Sequence, residues 1–162
     1  MPFTPLHMGP GIVIKVVMQR RFSLMVFGWS QIVMDIQPLV AMVRDKGELH
    51  GLSHTFLGAT VLGLLAALSG KYLGAFGLRF IREPSHLPIS WSVAFVSAYI
   101  GTYSHVLIDS VMHSDLTPFL PFSLASPLHG IISIDVLHII CLVSAALGGL
   151  VYFVLTKKNL RK

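Results

Sequence analysis

The chain has 162 residues, of which 54% are hydrophobic and 12% charged. A typical soluble domain carries roughly 25% charged residues and buries too little of so short a chain to hide this much apolar surface. The composition therefore excludes disorder, a nucleic-acid-binding domain and an ordinary cytosolic enzyme, and leaves an integral membrane protein. The net charge of +5 fits membrane anchors of basic residues rather than a polyanionic partner.

In chain order, apolar stretches predict a polytopic all-α bundle forming one transmembrane domain. It has a short half-span over residues 8–18 and four long spans over 22–43, 54–70, 91–113 and 131–156. The start, MPFTPLHMGPG, has no basic n-region and no cleavage site, so no removable signal peptide is expected. The single cysteine, Cys141, lies in an apolar run and is expected to pack rather than to pair. Gly70 and Gly74 have GxxxG spacing but are placed by this reading at a span end. Arg79–Pro88 is read as a linker, and Pro118 and Pro121 as enforcing an extended loop after the third long helix.

Basic residues set the expected orientation. Lys15, Arg20 and Arg21 precede the first long span, Lys71, Arg79 and Arg82 separate the second and third, and Lys157, Lys158, Arg161 and Lys162 follow the fourth. Placing these ten of the twelve basic residues inside puts the C-terminus in the cytoplasm, as in a bacterial inner membrane. The 114–130 loop, without Lys or Arg, then faces outward.

On that topology the intramembrane ionisable residues gather in the outer half. Asp35 lies about 12 Å inside its span. His50 and His54 open the next span, His105, Asp109 and His113 close the third, and Asp135 and His138 begin the fourth. His105 and Asp109 are four residues apart and share a helix face, as do His50 and His54 if their helix starts early enough. Ionisable groups in a bilayer are costly and commonly functional. Imidazoles and carboxylates without cysteine suit zinc, manganese or non-haem iron, as one or two divalent ions. Asp135 and His138 can equally be helix-end charges, and His86 and His129 read as loop residues. Ser53 and Ser104 each precede a histidine, but adjacent helical residues point apart, which argues against a serine nucleophile.

The run His50-Gly-Leu-Ser-His54-Thr resembles the histidine motif of membrane-bound metal-dependent hydrolases of the LexA-regulated inner-membrane type. Ser104-His105-Val-Leu-Ile-Asp109 resembles that family's second signature, and Thr117-Pro118, His7 and Asp35-Ile-Gln-Pro38 are also similar to it. The chain departs from the pattern at Leu49, at His50 and in the inserted 110–114 segment. The resemblance, spanning roughly His7 to Phe122, implies metal-dependent hydrolysis; with the spacing above, the metal site is expected among His7, His50, His54, His105, Asp109 and His113, and Asp35 can also complete its shell. Asp35 or Asp115 would be the general base for attack on a phosphoester or ester. His7 joins that set only if the short first segment enters from the outer side. Membrane lipid is the expected surroundings, a lipid or lipid-linked molecule the expected substrate, and a homodimer is compatible with so small a bundle; no nucleic-acid partner is expected. A structural scaffold and an ion-coupled transporter are the alternatives. The cytoplasmic halves of the spans, nearly bare of ionisable groups, argue against the transporter.

Overall fold

A computed structural model describes residues 5–45 and 51–160. The described chain is helical: α1 (Met8–Met18), α2 (Leu24–Arg44), α3 (Phe56–Phe80), α4 (Trp91–Met112) and α5 (Ile134–Leu160), joined by loops and short 3₁₀ turns. Helices α2 to α5 are each long and apolar enough to cross a membrane. Helix α1, at about 16 Å, reaches only halfway.

Local chemistry fixes where the long helices begin. Ser23, Thr55 and Ser90 are N-caps whose hydroxyls accept hydrogen bonds from the N–H groups of Val26, Gly58 and Val93. Ser133 does the same for Val136 at the start of α5. That cap places the start at Ile134, three residues later than hydropathy alone suggests. Asp45 ends α2 in the left-handed conformation, its N–H returning to the carbonyls of Ala41 and Met42.

Helix α3 corrects the sequence reading most. It runs ten residues beyond the expected end, to Phe80, and it contains the GxxxG pair rather than stopping at it. Gly70 and Gly74 are buried against α2: a Cβ at Gly70 would lie 3.0 Å from the Trp29 ring, and one at Gly74 3.3 Å from Met25. The missing side chains let the two helices close together. The segment expected to be a linker from Arg79 is shorter, and carries a 3₁₀ turn at Pro84–His86.

Helices α2, α3 and α4 pack on one another around Val26, Val33, Ala66, Ala67, Ala94 and Ala98. A second apolar layer of Met34, Ala59 and Val106 lies closer to the α3 N-terminus. Helix α1 packs chiefly on α5, where Gly9 meets the backbone of Cys141 so closely that no side chain would fit. Cys141 is buried, as expected of a packing residue. The four helix directions alternate, so the ends of α2 and α4 lie with the starts of α3 and α5, and His7, just before α1, lies with them.

Candidate metal centre

Five ionisable side chains from separate parts of the chain meet at this end. His7 precedes α1, Asp35 lies in the second half of α2, and His54 closes the 3₁₀ turn before α3. His105 and Asp109 occupy successive turns of α4. All five are at most 5% exposed.

Their contacts are short and mutual. His105 Nε2 lies 3.2 Å from Asp109 Oδ2 and 3.4 Å from Asp35 Oδ1. Asp109 Oδ2 is also 3.4 Å from His54 Nε2, and its Oδ1 is 3.5 Å from His7 Nε2. Two trios, His7–His105–Asp109 and Asp35–His54–His105, each present three donor atoms within 4.8 Å of one another. The Nε2 atoms of His7 and His105 are buried without a hydrogen-bond partner among the described residues.

Neighbouring polar groups orient the imidazoles. The Gln31 amide donates to the Gly101 carbonyl at 3.0 Å, which turns its oxygen toward His105. His105 Nδ1 therefore donates to Gln31 Oε1 at 2.8 Å, and in the neutral imidazole Nε2 keeps its lone pair facing the carboxylates. His54 Nδ1 lies 2.8 Å from Ser53 Oγ, so the same division of roles is available to it. Gln37 Oε1 accepts from the Ser53 N–H at 3.2 Å and holds the 3₁₀ turn that carries His54. An Nδ1–H anchored to an oxygen with Nε2 turned inward is the usual outer arrangement around a metal-bound histidine.

The donors thus fit a small divalent cation. Four ligand atoms about 2.0–2.1 Å from zinc in a tetrahedron lie about 3.3–3.4 Å apart. The four histidine–carboxylate separations span 3.2–3.5 Å.

The structure brings together His7, Asp35, His54, His105 and Asp109. The sequence offers Asp35 both as a ligand and as a base, and here it stands among the candidate ligands. His113, half-buried just past α4, and the exposed Asp115 belong to neither trio. His50 lies outside the described residues. Asp135 is exposed at the start of α5. Ser53 differs from expectation: the 3₁₀ turn, unlike an α-helix, lets its hydroxyl fold onto the adjacent histidine. Gln31 and Gln37 escape the sequence reading, although Gln31 stands four residues before Asp35 in an apolar span and shares its face.

No family model matches the chain, and neither does any curated protein or solved structure.

Proposed function

We propose that this protein is a membrane-embedded, metal-dependent hydrolase acting on a phosphoester or ester of a lipid or lipid-linked substrate. One observation carries the reading. Three histidines and two aspartates from four segments of the chain converge in the interior of an apolar bundle as two overlapping trios, each with three candidate ligand atoms within 4.8 Å of one another. Burying five such groups is costly unless something compensates them.

His105 belongs to both trios, and a single Nε2 lone pair serves one ion, so one cation held by His105, Asp109, His54 and either His7 or Asp35 is the simplest occupancy. Zinc suits the donors, with manganese or iron as alternatives. A bound cation supplies Lewis acidity that lowers the pKa of a water toward ~7. Gln31 and Ser53 keep the imidazoles turned inward, and a carboxylate not engaged as a ligand, Asp35 first, accepts the proton of the attacking water.

The loop between α4 and α5 supports a lipid substrate. It carries no Asp, Glu, Lys or Arg from Leu116 to Ser133. Its base is anchored beside the site: Pro118 O accepts from the Phe56 N–H at 2.9 Å, and the Phe56 and Phe119 rings lie 5.3 Å apart. Its tip is apolar, with Phe122 89% and Leu124 78% exposed. Apolar side chains presented at a membrane-span end belong in the lipid interface. The basic residues at the opposite helix ends support placing the site toward the outer face of a bacterial inner membrane, with the C-terminus cytoplasmic. The resemblance to LexA-regulated inner-membrane hydrolases agrees with this reading.

Metal content tests it. Untagged protein purified in mild detergent without chelator should carry about one equivalent of zinc, manganese or iron, lost in the His105→Ala, Asp109→Ala double variant. Folded wild-type protein that holds no metal and takes none on reconstitution would leave the scaffold reading.

A second reading rests on Ser53, whose Oγ meets His54 Nδ1 while His54 Nε2 faces Asp109. That is the order of a serine–histidine–aspartate relay. Ser53→Ala decides between them. A supporting hydroxyl should cost within about 100-fold in activity or metal affinity; total loss of activity with metal retained would favour a serine nucleophile.

A further inference from the structure

At the opposite end of the bundle, a groove of about 410 Å³ lies between the last turns of α3 and the segment entering α4. Lys71, Tyr72 and Arg79 form one wall, and Leu87, Pro88 and Ile89 the other. Among the described residues no acidic side chain lines it and no ion pair to Lys71 or Arg79 occurs. The Lys71 ammonium sits 3.9 Å above the Trp91 ring, with the Tyr72 ring perpendicular to Trp91 at 6.0 Å.

Position along α3 gives the depth. Lys71 is about 22 Å and Arg79 about 34 Å beyond Phe56. With a hydrocarbon core of about 30 Å, the two cations straddle the bilayer interface on the side away from the His/Asp cluster. Two unneutralised cations, an aromatic pair at interfacial depth and an apolar wall match a phosphate joined to acyl chains better than a free ion. Helix anchors alone need no cavity, whereas this groove is large enough for a headgroup and its first carbons.

We infer that this groove is a binding site for the phosphate of an anionic phospholipid from the leaflet opposite the candidate metal centre. Lys71 and Arg79 flank the phosphate, Trp91 and Tyr72 hold the Lys71 ammonium at the interface, and the Leu87–Ile89 wall receives the start of an acyl chain. This site stands independently of the hydrolase reading.

The test uses the full chain, delipidated in detergent, with short-chain phosphatidylglycerol, short-chain phosphatidylcholine and inorganic phosphate as probes. Retained lipid is read by native mass spectrometry and binding by the shift in thermal midpoint. Two interfacial cations at about 1 kcal/mol each predict a preference for phosphatidylglycerol of about 30-fold. Lys71→Gln, Arg79→Gln should abolish the preference without altering metal content, and Lys71→Arg, Arg79→Lys should keep it. Equal retention of the two lipids, an unchanged preference in the double glutamine variant, or equal effect of inorganic phosphate would overturn the assignment. If the double variant does not fold, the wild-type comparison of the three probes decides.

Discussion

The two ends of the bundle bury ionisable groups in opposite ways. At one end two carboxylates and three imidazoles converge, with ring nitrogens and carboxylate oxygens 3.2–3.5 Å apart. At the other, Lys15 is 4% exposed and spends its protons on the chain itself. It donates to the carbonyls of Gln19 and Phe22, each at 2.8 Å, and thereby closes the turn from α1 to α2. It also approaches His86 Nδ1 at 3.5 Å, and His86 Nε2 shares a 3.0 Å hydrogen bond with the Tyr152 hydroxyl, which ties the α3–α4 connection and α5 to the same turn. Converging imidazoles and carboxylates can take up a cation between them, whereas a cation surrounded by carbonyls is already satisfied. The difference teaches that burial of charge marks a candidate ligand site where side-chain donor atoms converge, and a structural tie where the backbone itself supplies the partners.

Removing the acceptors should break this contrast most. On the proposed function, His105→Ala, Asp109→Ala should eliminate bound metal and hydrolysis together in elemental analysis and turnover assays, while Lys15→Met should leave the metal stoichiometry of the folded protein unchanged. Next in size, Gln31→Leu removes the group that orients His105 and should weaken metal affinity about 10–100-fold in competition with a chelator, with Gln31→Glu restoring much of it. Lys15→Met leaves the buried Phe22 carbonyl without its donor, a cost of about 1–3 kcal/mol, read as a lower thermal midpoint in detergent.

The smallest effect is expected at His86. Burial, and then the neighbouring Lys15, holds this imidazole below its ordinary pKa of 6.5. The folded state thus favours neutral His86. Its contribution to stability is complete above pH 6.5 and declines as pH falls through that value, because the unfolded chain takes up the proton first. The stability gap between wild type and His86→Gln should accordingly narrow on acidification, measured by thermal unfolding at stepped pH.

Much of this fold is legible in the residues. Four apolar runs of spanning length and a short fifth appear as helices, since hydropathy at that length has few other outcomes in a membrane. Ends are harder to read. The extension of α3 depends on glycines that look like helix breakers until α2 is seen against them. In the candidate site, His105 and Asp109 are readable as a pair because four-residue spacing fixes their shared face. Asp35 follows from its depth in an apolar run, and His54 from its place at the start of one. Gln31, Gln37 and the Ser53 hydroxyl do not stand out, because neutral polar side chains in membrane helices also serve ordinary helix pairing.

The sequence by itself determined an all-helical membrane bundle and the His/Asp chemistry available to it, because composition and helical periodicity are properties of single segments. Only the tertiary structure decided which of those groups meet. It brought His7 across 98 residues to His105, set Asp35 against His105 and left Asp115 exposed. It also assigned Lys15 to the carbonyls of a turn. These outcomes depend on how helices pack, and glycine contacts such as Gly9 on Cys141 set distances that no single segment encodes.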